Sequence, residues 1–533
     1  MNTDINPNPR LKKLFEVFSE EQKIRPVPSR EPALKVSRAT SLVAFLYEKF
    51  RSALEYQEEH LLRRWAIERI LRRRLTFKSS SENLAYMLIR ELIWSRYLHL
   101  KDVTEEMIEK TDRVLQKYFS ILEQRKNYHL KTQSSATVFD WIISLASTEI
   151  DGQLVSSKKT GAILEFTYSW FNPRFEIEWI KKEDKEILLF IAILRALLKS
   201  DRATLRYNLL KLYYPSWEKN DPSIIAEVAK SFDALMRTIE HYIKHPLNDK
   251  LLNTIKRQVA PFFILQGFVE KYAEKAQTII QNPLQLERVF KEIIETKYRE
   301  IKVKVDRGIT RSIIYVFLTK MVIALLFEFP YDLYLAKILN FRPLIINLFF
   351  PPTLMFIVGL LIKTPGESNT SLLLKKLKEI IYSSSQDQLD NITQIKKPRF
   401  PKLSSLIFPV LYLATFFVSF GLICLILLKL KFSLVSTAVF LFFLCVVSFF
   451  SYRISNSAHE LILEESKEKV YTFLIDFFSL PILWAGRWLS LTFVRFNFVI
   501  FILDFLIETP LKTMIGIGED WLNFLKEKKK ELV

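Results

Sequence analysis

Two adjacent apolar runs constrain this chain more than any other feature. Leu403–Leu428 is uncharged for 26 residues and Phe432–Tyr452 for 21, with only Lys429, Leu430 and Lys431 between them. A helix needs roughly 20 apolar residues to cross a hydrocarbon core about 30 Å thick, and in lipid its backbone must be satisfied internally. The two runs therefore read as an antiparallel membrane hairpin. Upstream, Ser312–Phe329 is apolar except for Lys320 and Glu328, and Pro343–Ile362 is uncharged with Pro351 and Pro352 in its middle. Four crossings follow, at about 312–329, 343–362, 405–428 and 432–452. Val470–Ile507 is apolar but interrupted by Asp476, Pro481, Arg487, Arg495 and Asp504. Its polar stripe, with Trp484 and Trp488, suggests a helix lying in the membrane interface; a membrane hairpin, giving six crossings, is the alternative.

Orientation follows from the placement of Lys and Arg. The 363–402 loop holds Lys363, Lys375, Lys376, Lys378, Lys396, Lys397, Arg399 and Lys402, and the 511–533 tail is lysine-rich and amphipathic. Both are expected on the cytoplasmic side of a cell (inner) membrane, together with the N-terminus. The Asn369 and Asn391 sequons fall in that loop and read as chance.

The rest of the chain differs in kind. Residues 1–310 carry 53 Lys and Arg against 41 Asp and Glu, and the whole chain has a formal net charge of +19. Ten glycines disfavour folds built on tight turns or phosphate loops, and two cysteines exclude a disulfide scaffold. Residues 1–35, polar and proline-bearing, read as a flexible arm. From 36 to 305 nearly every segment repeats apolar residues at a helical spacing. Ile187–Leu198 is almost wholly apolar but too short to cross, so it reads as a buried helix. Residues 152–180 are the least helical in pattern, with room for a small hairpin. The expected fold is all-α: a cytoplasmic multi-helix domain followed by a transmembrane bundle over 306–510.

Within the bundle the residues that stand out are polar. An ionisable group deep in a membrane helix costs about 2.5–3.5 kcal/mol on insertion scales, so Lys320 is expected to face a partner or a wet cavity. Glu328 lies eight residues on, about 12 Å along an α-helix. A pair within that helix is therefore disfavoured, and Asp476, Asp504 or Glu508 are the candidates across helices. The bland reading is a structural ion pair or a snorkelling lysine; the functional one is a polar site of Lys320, Glu328, Asn347, Asp504 and Glu508. Pro351 and Pro352 are expected to kink or break their helix.

In the helical domain, Arg63, Arg64, Arg72, Arg73 and Arg74 form a basic stretch. A solvated face is the plain reading, anionic lipid headgroups are the functional one, and nucleic acid is disfavoured. His241 and His245 stand four apart, but Tyr242 and Ile243 occupy the positions where a zinc protease motif needs its glutamate. No nucleotide-binding or hydrolase motif occurs, so no cofactor or catalytic residue is expected. The composite expectation is a membrane-anchored scaffold or assembly protein with an unidentified protein partner, free to form a homo-oligomer. A transporter or channel subunit using the intramembrane polar residues is the alternative.

Overall fold

The computed structural model describes residues 8–23, 61–77, 83–127, 135–155, 158–335, 341–362, 365–382, 393–395, 404–463 and 470–495, with isolated positions at 44–48 and 510–528. The fold is all-α with a membrane bundle. Among the described residues the one strand pairing is parallel, Phe175–Glu176 with Thr393–Gln394. Four helices are long and apolar enough to cross a membrane: Pro283–Tyr334, Phe341–Leu361, Pro409–Lys429 and Leu434–Leu461. Outward-facing side chains on them, such as Phe417 and Leu425, are apolar and exposed, as a lipid-facing surface requires.

Local chemistry sets the element ends. Asn282 caps the 41-residue helix Pro283–Ile323 by accepting from Gln285 N at 3.2 Å, with Pro283 in its first turn. At 1.5 Å per residue that helix runs about 60 Å, long enough to belong to both the domain and the bundle. The hairpin between the last two spans closes on Lys431, whose φ of 57° lies in the left-handed region. There Lys431 N and Phe432 N donate to the carbonyls of Leu428 and Leu427, and Ser433 then caps Leu434–Ala458.

One continuous core fills the helical domain, and it takes in segments from both sides of the membrane region. The expected buried helix is there: Lys182–Leu197 holds Leu188, Leu189, Ile191 and Leu194 fully inside. Several expectations are corrected. The 1–35 arm contains the helix Pro9–Lys23, whose Leu11, Leu14, Phe15 and Phe18 recur at helical spacing and are buried. Residues 158–171 are helical, and among the described residues of 152–180 no hairpin forms; the short strand there pairs with the 363–402 segment instead. That segment is itself no simple loop. Leu373, Leu374, Leu377, Ile380 and Ile381 make an apolar stripe on the helix Glu367–Tyr382, which packs into the domain core. The Pro351–Pro352 pair breaks nothing: Phe341–Leu361 is one helix, with Pro343, Asn347, Pro351 and Met355 buried along one face at four-residue spacing.

Val470–Arg495 packs along Leu434–Ala458 and against Ser404–Lys429. Its Trp484 ring meets Phe416 edge-on at 5.5 Å, near the middle of that span. Gly486 sits so close to Cys445 that an added Cβ would stand 2.1 Å from the Cys445 carbonyl oxygen. The helix Val470–Arg495 is not among the four that are long and apolar enough to cross a membrane; residues 496–509 lie outside the described residues.

This close approach is testable. Gly486→Ala should destabilise the bundle by about 1–3 kcal/mol, the usual cost of overpacking, measured by unfolding in mixed micelles. Gly421→Ala, where nothing lies within 4 Å of the added Cβ, should stay within about 0.5 kcal/mol of the parent.

Candidate functional site

The intramembrane site is built by three helices. Lys320, Glu328 and Asn347 are each completely buried. Lys320 Nζ donates to Glu328 Oε1, and Asn347 Nδ2 donates to Glu328 Oε2 at 2.7 Å and to the Ser436 carbonyl at 3.1 Å. The ammonium also lies 4.9 Å from the centre of the Phe443 ring, a cation–π contact that a dry site strengthens. The pair that α-helical geometry disfavours is thus the pair that forms. Eight residues at 100° each would leave Glu328 about 80° round from Lys320. The chain widens into a π turn over Ala324–Glu328, which turns each residue by less and returns the carboxylate to the lysine's face.

The cluster is closed rather than open. None of its three side chains reaches solvent, yet Asn347 Oδ1 and Ser436 Oγ have no hydrogen-bond partner among the described residues. Asp504 and Glu508, the cross-helix candidates, lie outside the described residues, and nothing is described of the Asp476 side chain. Sequence reasoning missed Ser436 and Phe443. A serine near a helix start and a phenylalanine among many carry no signal of their own.

The basic stretch of the helical domain is already neutralised. Arg63 meets Asp151 at 2.5 Å, and Arg64 bridges Glu68 and Asp201. Arg72 meets Asp140 at 2.5 Å, while Arg73 and Arg74 both hold Glu91, which is 1% exposed. The anions that headgroups would have supplied come from the protein itself, so this is not an open cationic face. Nearby, Glu149 gathers Lys117 at 2.5 Å, Tyr118 at 2.8 Å and Trp217 at 3.0 Å. Burial pushes the Lys117 pKa down and outweighs the opposing pull of Glu149.

A third polar centre joins the two halves of the molecule. Asn369 Nδ2 donates to the Tyr298 hydroxyl at 2.7 Å and to the Leu461 carbonyl at 2.9 Å, while its Oδ1 accepts from Leu463 N at 2.7 Å. Tyr298 lies on the first of the four long helices, ahead of its apolar part, Asn369 follows the second, and Leu461 ends the fourth. All three connections therefore meet on one side of the bundle. Lys199 and Glu460, 2.7 Å apart, tie the same region to the domain. Asn369 is buried, with both amide ends bonded; Asn391 lies outside the described residues.

His241 and His245 sit with ring centres 6.0 Å apart. Among the described residues no group of three or more His, Cys, Asp or Glu converges as a metal site. Comparison with known protein families, curated proteins and solved structures gave no match.

Two outcomes follow from these geometries. Lys320→Ala leaves a carboxylate buried without its cation and should destabilise the chain by about 3–5 kcal/mol, whereas Lys320→Met with Glu328→Leu should cost far less. Steric-trap unfolding of the parent and the two variants in nanodiscs gives both numbers. Glu240 offers a pH test: burial raises its pKa, but Arg206 and Arg202 outweigh this and hold it below the ordinary carboxylate range. A depressed folded pKa contributes stability above the unfolded value, near 4.3, that is lost as pH falls through the folded one. Glu240→Gln should therefore flatten the fall in melting temperature below about pH 4.5.

Proposed function

We propose that this protein is a non-enzymatic, membrane-anchored platform, with its helical domain held against the cytoplasmic face of a cell (inner) membrane and both termini on that side. The domain engages a protein partner, and the bundle fixes its place in the bilayer. The observation that carries this reading is the Asn369 junction, where one buried amide binds the three segments through which the chain passes between domain and bundle. A domain whose task ended at being tethered would need only a linker; one tied at three points presents the same surface at the same height. The closed state of the Lys320 cluster supports a structural role for it within this platform.

A transporter reading has one specific support, the unpaired Asn347 Oδ1 and Ser436 Oγ beside a buried ion pair. The full-length chain separates the two. A platform gives no ion or solute flux above empty vesicles, and in native membranes its helical domain cross-links to a stoichiometric protein partner. Asn369→Leu, which removes the partner of the Tyr298 hydroxyl, the Leu461 carbonyl and Leu463 N, should lower that cross-linking several-fold while insertion persists. Flux that falls with Lys320→Ala, together with no cross-linked partner, would replace the platform by a transporter.

A further inference from the structure

The helical domain holds a cleft of about 570 Å³ whose lining is strongly unbalanced in charge. It opens between the first turns of Ser135–Leu154 and Arg202–Tyr213 and the last turn of Pro222–Ile243, represented by Thr137, Arg202 and His241. Four cations line it, Arg202, Arg206, Arg237 and Lys244, against one carboxylate, Glu240. At the floor Arg206 Nε donates to Glu240 at 2.7 Å, and its guanidinium lies 5.5 Å from the centre of the buried Trp141 ring. Trp141 Nε1 donates to the same carboxylate at 3.2 Å. Arg202 also bonds Glu240, and Lys244 stands 4.0 Å from it. A single carboxylate cannot neutralise this set. Arg237 has no carboxylate partner among the described residues, and the side chains of Arg202 and Lys244 are 51% and 68% exposed at the mouth.

We infer that this cleft binds a multiply charged phosphate group. The volume falls in the range of small-ligand sites. Guanidinium forks match phosphate oxygens in pairs. Arg206 and Trp141 are held by Glu240 and form a fixed floor. Arg237, Arg202 and Lys244 are the arms that meet the ligand. The same chemistry serves a soluble phosphorylated molecule or a phosphoinositide headgroup.

The test uses the full chain in nanodiscs of neutral phosphatidylcholine, titrated with pyrophosphate by calorimetry. Saturable binding at one site per chain is expected, weakened about tenfold by Arg237→Ala through loss of a charge-assisted hydrogen bond. Lys230→Ala, exposed on the same helix but outside the cleft, should bind as the parent does. Arg237→Gln repeats the test without removing the side chain's bulk. A second arm places phosphatidylinositol bisphosphate in the nanodisc. Loss of the calorimetric pyrophosphate signal when the lipid is present assigns the site to a headgroup, and an unchanged pyrophosphate signal assigns it to a soluble phosphate. Binding equal in the parent and both Arg237 variants, or no response to either probe, overturns the inference.

Discussion

The amide of Asn369 is the contact on which the arrangement of domain and bundle depends. A buried asparagine has two donors and one acceptor to satisfy, and here each meets a different stretch of chain: Tyr298, Leu461 and Leu463. A buried polar group left unpaired costs about 1–3 kcal/mol, so displacing any one of these segments exposes the rest to that penalty. The 41-residue helix Pro283–Ile323 carries the same linkage through its backbone, since it leaves the domain core and enters the bundle without a break. Leu373, Leu377 and Ile381 then return the 363–402 segment to that core.

Inside the bundle a different constraint operates. Lys320 cannot stay charged among apolar side chains without a counter-charge, and the π turn at Ala324–Glu328 is the local distortion that supplies one. Asn347 extends the pair to a second helix and, through the Ser436 carbonyl, to a third. Polar contacts of this kind act between helices where lipid tails offer no hydrophobic drive for packing. The small-residue alternative appears between Val470–Arg495 and its neighbour, where Gly486 lets two backbones approach at Cys445.

The spans were legible because uncharged runs of that length have few other uses, and the helical domain because its apolar spacing repeats. Lys320, Glu328 and Asn347 were legible as oddities in an oily background, but their pairing was not. A π turn leaves no mark in composition, and regular α geometry pointed to the wrong partners. The arginines from 63 to 74 misled for another reason. Apart from Glu68, their carboxylates come from segments distant in sequence, Asp201 lying 137 residues from Arg64, so a local reading saw an excess of cations. Asn369 was noticed only as a sequon, since the partners that make it a junction lie far off in sequence, Tyr298 on the first long helix and Leu461 at the end of the fourth.

Rigidity between domain and bundle is the claim on which the platform rests, and a distance measurement reaches it directly. With Cys424 and Cys445 replaced, spin labels at Lys230 in the domain and at Leu434, 78% exposed at the far end of the hairpin, report their separation in nanodiscs by pulsed electron resonance. A junction tied at Asn369 predicts one narrow distance distribution that broadens in Asn369→Leu. A broad distribution in the parent chain, unchanged by that substitution, would contradict it.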